Sequence, residues 1–180
     1  MMDWGPGYTQ AELDEAQDKF GLRFPPDLIA LLKRGRLPGG HDWTTDEQRI
    51  RGMLAWPLDG ILFDVEHGLW WPEWGPRPGT QDERAEVVAA VIGDAPRLIP
   101  LFGHRYIPEE PHEDGNSVFS VHQSDIIYYG TDLANYLANE FSSPPHRVLT
   151  GPIRPIRFWT EAVERSGDPA FWLPAEGAHR

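Results

Sequence analysis

The sequence predicts an α+β fold, with a single, mainly antiparallel sheet flanked by helices. Capping signals and helical apolar spacing dominate the first half of the chain, whereas four short strand-like runs follow one another between residues 97 and 129. Runs joined by such short connections pair as antiparallel neighbours, so we expect adjacent strands with helices over one face. With 180 residues and 40% hydrophobic content, the chain suits one domain over residues 1–180.

Two helices are predicted in the first 35 residues. Thr9 can cap the first helix with Glu12 at its third position, which makes a capping box, and Gly21 is placed to end it. A second helix follows Pro25 and runs to about Arg34, because proline suits the first turn of a helix. The residues expected to face the core are Leu13, Ala16, Phe20, Leu28, Leu31 and Leu32.

Two further short helices are predicted on either side of residue 56. The first covers residues 46–55, and Pro57 starts the second. Helical spacing in the second is carried by Leu58, Ile61, Leu62 and Val65. A strand over residues 61–65 is the alternative, because short apolar runs suit either structure.

A tryptophan-rich segment, residues 70–79, is too rich in proline for regular structure and too aromatic for a flexible linker. Thr80 and Glu83 then repeat the capping-box pattern, and the helix that they begin is expected to end at Gly93. The sequence therefore predicts an irregular aromatic segment held between two helices.

The second half of the chain is interpreted as a β-meander followed by helices. Thr131 is expected to cap a helix that continues through Phe141, and residues 156–163 suggest a final helix. Residues 171–173 are expected to form a docked tail. The predicted strands are Arg97–Phe102, Arg105–Ile107, Ser117–Val121 and Asp125–Tyr129.

Charge and composition restrict the classes of partner. The formal net charge is −12 and the isoelectric point is near 4.9, which disfavours direct binding to nucleic acid or an anionic membrane. A basic protein would be attracted, although acidity that only maintains solubility is the alternative. The chain has no cysteine, no recognisable signal peptide and no apolar run long enough to span a bilayer. We therefore expect a cytoplasmic protein.

Candidate catalytic and metal-binding residues do not form a recognisable motif. His104, His112, His122 and Asp125 could converge as a zinc site, but histidines in loops are more often surface residues. The adjacent carboxylates Glu109-Glu110 and Glu113-Asp114 could serve acid–base chemistry, but a loop leaves them solvated. No nucleophile elbow or phosphate-binding loop is present. The sequence predicts no enzyme, no cofactor and no metal.

Two features are predicted to bind a partner. Trp70, Trp71 and Trp74 could form an aromatic platform with Arg77 beside it, since aromatics and arginine dominate binding hot spots. The alternative is that at least two of these rings close the core, in which case Trp74→Ala would cost about 3–5 kcal/mol. The second feature is the acidic loop, whose charged residues are Glu109, Glu110, Glu113 and Asp114.

Two segments resemble the SUKH superfamily, the Smi/Knr-type family of cell-wall-assembly regulators. Residues 20–32 are similar to its helix–glycine–proline–helix pattern, and residues 115–130, continuing to Phe141, are similar to its strand–turn–strand–helix stretch. The resemblance covers about residues 9–141 and leaves residues 142–180 as a C-terminal extension. It implies an α+β fold that acts by binding and has no catalytic residues.

The resemblance also implies a function. Similar bacterial proteins are immunity proteins that neutralise toxins, so we expect a protein-binding domain whose partner is another protein, such as a basic toxin domain. A regulatory interaction scaffold is the alternative, and a small-ligand or carbohydrate binder built on the tryptophan segment is a third interpretation.

Overall fold

One antiparallel sheet of four strands organises the molecule, and its order is β1-β2-β3-β4. The structure is a computed structural model that describes residues 3–174, so both ends of the predicted domain 1–180, and with them the end of its C-terminal extension, lie outside the described residues. The strands are β1 (Leu98–Phe102), β2 (Arg105–Pro108), β3 (Val118–His122) and β4 (Asp125–Gly130). The predicted meander is confirmed, and the pairing of Val121 with Ile126 fixes the register of its last hairpin.

Among residues 3–174, six α-helices surround this sheet. The capping box at the first of them is confirmed, because the Thr9 hydroxyl accepts from the Glu12 amide and the Glu12 carboxylate accepts from the Thr9 amide. Gly21 ends that helix with φ 62°, which glycine adopts without steric cost. The helices are α1 (Gln10–Phe20), α2 (Pro26–Arg34), α3 (Glu47–Glu66), α4 (Gln81–Asp94), α5 (Leu133–Glu140) and α6 (Trp159–Arg165).

Helices cover both faces of the sheet, so the expectation of one covered face was wrong. Successive side chains of a strand point to opposite faces, and in this sheet both sets are apolar. One face carries Ile99, Leu101, Ile107 and Val118, which pack with buried residues of α1, α2 and α5. The other carries Leu98, Tyr106, Phe119, Val121 and Ile126, which pack with buried residues of α3, α4 and α6.

The two short helices predicted around residue 56 are one continuous helix, α3, with Pro57 inside it. The strand alternative for residues 61–65 was also wrong. Proline has no amide hydrogen, so the Met53 carbonyl four residues earlier loses its helical donor. The Tyr106 hydroxyl of β2 replaces that donor, at 2.7 Å from the Met53 oxygen. Burial raises the pKa of Tyr106, which keeps this hydroxyl protonated.

Two helices begin at residues other than those predicted. Asp132 rather than Thr131 caps α5, because its carboxylate accepts from the Asn135 amide. The Thr131 hydroxyl instead donates to the Thr150 carbonyl of the C-terminal segment. The last helix, α6, begins at Trp159 and not at residue 156.

One face of α3 holds the turn between β3 and β4. The indole nitrogen of Trp56 donates to the Val121 carbonyl at 3.0 Å. The buried carboxylate of Asp64 accepts from both the amide and the hydroxyl of Ser124. Between these two residues, Gly60 leaves room for the backbone of Gln123. Because Trp56, Gly60 and Asp64 are spaced four residues apart, their three contacts with this turn lie along one side of α3.

Two glycines of α3 are expected to respond oppositely to alanine. A Cβ at Gly60 would lie 2.9 Å from the Gln123 Cα, whereas a Cβ at Gly52 would have no neighbour within 4 Å. Gly52→Ala should raise the free energy of unfolding by about 0.5–1 kcal/mol through helix propensity. Gly60→Ala should lower it by about 1–2 kcal/mol, because backbone overlap outweighs that gain. Urea unfolding of both variants checks this, and a stabilised Gly60→Ala would contradict the close approach.

The end of the described chain docks against the tryptophan segment, as predicted for residues 171–173. The Leu173 amide donates to the Gly68 carbonyl at 2.8 Å, and the Trp70 amide donates to the Phe171 carbonyl at 2.9 Å. Within residues 3–174, no helix is long and apolar enough to cross a membrane.

Candidate functional site

The tryptophan segment folds onto the core instead of presenting a flat platform. Trp71 is only 8% exposed. Its ring stacks on that of Trp74 with centroids 5.0 Å apart, and it lies 5.3 Å from the Phe158 ring. Trp74 and Trp70 are partly buried and meet edge to face at 5.2 Å. All three predicted tryptophans are therefore brought together, but mainly against one another.

Arg165 of α6 completes this aromatic cluster. Its guanidinium lies 4.5 Å from the Trp71 ring centre and 4.8 Å from that of Phe171. Both of its terminal nitrogens donate to the Glu73 carboxylate. This bond lowers the pKa of Glu73 and raises that of Arg165, so the pair stays charged. Sequence reasoning missed Arg165, since nothing local links it to a segment 92 residues earlier.

Arg77 lies at the edge of this segment and has a structural contact of its own. Its guanidinium donates to the Val65 carbonyl near the end of α3 at 2.9 Å. The indole nitrogen of Trp70 similarly donates to the Gly75 carbonyl at 2.8 Å. Beside the cluster is a cleft of about 330 Å³ lined by Trp71, Trp74, Val91, Phe158 and neighbouring charged residues. The covered faces of Trp71 leave little ring surface there for stacking on a ligand.

Only part of the predicted acidic loop is free. The Glu109 carboxylate accepts from the Arg23 amide at 3.0 Å, which ties the loop to the chain before α2. Glu113 lies 3.5 Å from the Arg154 guanidinium. Glu110 and Asp114 are exposed and form no ion pair among residues 3–174. The loop thus offers two free carboxylates where four were expected.

Asn116 fixes the conformation of this loop from inside. Its side-chain nitrogen donates to the Pro108 and Pro111 carbonyls, and its oxygen accepts from Arg154 at 2.8 Å. Asn116 is fully buried, so these three bonds satisfy a polar group that would otherwise be costly to bury. The C-terminal extension therefore supports the loop directly through Arg154.

The four residues considered as a possible zinc site, and not favoured as one, are not all brought together. His104 and His122 are neighbours, with ring centroids 5.3 Å apart and Trp56 stacked on His104. Burial, the nearby His122 and Arg105 all lower the pKa of His104. His112 lies in the acidic loop at the other end of β2. In the part of the chain that the structure describes, no group of three potential metal ligands occurs.

A groove between α2 and α5 collects carboxylates that the sequence had not linked. Its volume is about 550 Å³, within the range of clefts that bind ligands, which is about 300–1,000 Å³. Asp27 of α2, Asp114 of the acidic loop and the α5 cap Asp132 all line it, and Arg34 lines it as well. Its apolar lining comes from Pro26, Ala30, Leu31, Leu133, Ala134 and Leu137.

Asp27 is the best defined of these carboxylates. One of its oxygens accepts from the Gly115 amide at 3.0 Å and the other from the Leu28 amide at 2.9 Å. Burial raises the pKa of Asp27 despite these bonds, and the negative charge of Asp114 raises it further. A cation placed in the groove would favour the charged form of Asp27 and so offset both effects.

Comparison of the chain with protein-family models, with curated proteins and with solved structures gave no match.

Proposed function

We propose that this chain is a SUKH-like, non-catalytic binding protein that acts as a bacterial immunity protein and neutralises a basic toxin domain. The observation that carries the proposal is the groove between α2 and α5. Asp27, Asp114 and Asp132 line this groove and make no ion pair among residues 3–174. On a chain of net charge −12, such a groove favours a positively charged protein surface.

Charge supports the choice of a basic partner over nucleic acid. A nuclease toxin domain must carry positive charge to hold phosphate, and a protein of opposite charge can intercept it. Six ion pairs form among residues 3–174, each between an arginine and a carboxylate, whereas the whole chain carries 28 acidic residues. Most carboxylates therefore contribute to a field that attracts cations and repels phosphate.

The carbohydrate-binding alternative is less well supported. A sugar-binding platform needs an open aromatic face. Trp71 is covered by the Trp74 ring, the Phe158 ring and the Arg165 guanidinium. The contacts within this cluster therefore stabilise the fold, and we propose the groove between α2 and α5 as the site of the partner instead.

Association with the partner should depend strongly on salt. Long-range attraction raises association rates, and it weakens as the Debye length shortens. We expect the association rate to fall at least about tenfold between about 0.05 and 0.5 M salt, with little change in the dissociation rate. The measurement is surface-plasmon-resonance kinetics on the protein captured by this chain from its native host and identified by mass spectrometry.

Two matched double variants distinguish electrostatic attraction of the partner from acidity that only keeps the protein soluble. Converting Glu110 and Asp114 together to their amides should reproduce part of this fall at low salt, because neither residue makes an ion pair in the described chain. The same change of charge at Asp14 and Asp18, which are exposed on α1, is the control and should have a smaller effect. A salt-independent association rate would mean that the acidity serves solubility alone. A captured partner that is not toxic to cells would favour the regulatory scaffold instead.

A further inference from the structure

We infer that the groove between α2 and α5 is the docking surface for a basic amphipathic segment of the partner protein, with an apolar side chain in the groove and lysine or arginine at its acidic residues. This inference rests on the proposed function, because it names the surface and the chemistry through which that function would act. It assigns the contact with the partner to this groove and not to the tryptophan segment.

The walls of the groove are the outer sides of two short helices. Ala30 and Ala134 are exposed, and Leu31 and Leu137 are half-buried, so apolar side chains line it without closing it. Small residues on facing helices leave space that a larger side chain of a partner can fill. The core lies beneath, since Leu28 of α2 and Leu133 and Tyr136 of α5 are buried.

The charges of the groove specify the sign of the occupant. Asp27, Asp114 and Asp132 come from three separate parts of the chain and line the same groove, against the single cation Arg34. The carboxylates of Asp27 and Asp132 are held in place by backbone amides. A lysine or arginine would therefore meet acceptors that are already oriented, which reduces the entropy lost on binding.

The C-terminal segment adds apolar surface beside α5. Val148, Leu149 and Ile153 are 51%, 37% and 36% exposed, and they are three of the six exposed large hydrophobic residues in the described chain. This segment is fixed to α5, because the Val148 carbonyl accepts from Asn135 and its amide donates to Asn139. These apolar residues lie beside Asn135 and Asn139 of α5, whereas Leu133, Ala134 and Leu137 of the same helix line the groove, so a partner that contacts both surfaces must extend around α5.

A synthetic peptide tests the surface without the native partner. The probe is an amphipathic peptide of lysine and leucine at helical spacing, and the same peptide with glutamate in place of lysine is the charge control. We expect the lysine peptide to shift the backbone amide NMR signals of residues 30–34, 114–115 and 133–137, and the glutamate peptide to leave them unchanged.

Two alanines of α5 provide the matched variants. Ala134 lines the groove and Ala138 does not, although both are exposed on the same helix and neither contributes to the core. Ala134→Arg should weaken the peptide at least about tenfold by filling the groove and opposing its charge, whereas Ala138→Arg should change the dissociation constant less than about twofold.

Each outcome of this experiment bears on the inference. Absence of peptide binding, shifts spread evenly over the acidic surface, or equal weakening by both arginine variants would overturn it. Peptide binding at the groove by a chain whose captured native partner is not a toxin domain would support the docking surface and contradict the immunity function. The two proposals can therefore fail separately.

Discussion

Replacing Trp71 by alanine is expected to lower the free energy of unfolding by about 3–5 kcal/mol, as for other buried aromatic residues. Trp71 is 8% exposed and contacts Trp74, Phe158 and Arg165. Its removal would leave a cavity in the cluster and withdraw the ring on which the Arg165 guanidinium lies. Urea unfolding monitored by circular dichroism measures the change.

Trp74→Ala is the matched comparison, and its expected cost is about half that of Trp71→Ala. The Trp74 ring is only partly buried and borders the open cleft, so less apolar surface returns to water on its removal. Sequence reasoning had assigned the full cost of a core aromatic to Trp74. A Trp71→Ala variant that unfolds like the wild type would show that the cluster contributes little to folding, and the platform interpretation would gain support.

Local signals explain which parts of the fold could be predicted. The capping box at Thr9, the positive φ at Gly21 and the short turns that join β1 to β2 and β3 to β4 depend on neighbours a few residues away. The continuity of α3 through Pro57 could not be predicted in this way, because the donor that replaces the missing amide is Tyr106, 53 residues from Met53. A proline inside a helix is tolerated where a distant side chain donates a hydrogen bond to the carbonyl that has lost its helical donor.

The same distinction applies to the candidate site. The acidic loop can be recognised in the sequence as a run of charged residues. Which of its carboxylates remain unpaired depends on distant contacts, because Arg154 bonds to the buried Asn116 and pairs with Glu113. The groove between α2 and α5 was missed because its aspartates belong to three separate segments. One of its apolar residues, Leu31, was expected to face the core, although it is only half-buried.

The stability of the protein is expected to fall in mild acid because of His41. This side chain is 7% exposed, and neither ring nitrogen has a hydrogen-bond partner in the described chain. Burial, together with the nearby cation Arg49, lowers its pKa from 6.5 to about 4, and the negative charges of Asp46 and Asp42 only partly oppose this shift. Because the folded chain resists protonation, protons bind preferentially to the unfolded chain between these two values. The contribution of His41 is therefore complete above about pH 6.5 and declines as the pH falls towards 4.

At pH 5 the resulting loss in the free energy of unfolding is about 2 kcal/mol relative to pH 7.5, in addition to whatever the carboxylates contribute. His41→Leu removes the titrating group and retains an apolar side chain beside Trp43, so its stability should change less over the same interval. His67→Leu, at an exposed histidine of the α3 terminus, is the control and should follow the wild type. The measurement is urea unfolding of the three proteins at both pH values. Parallel pH profiles for the wild type and His41→Leu would contradict the assignment, because the carboxylate background is common to both and only the titration of His41 distinguishes them.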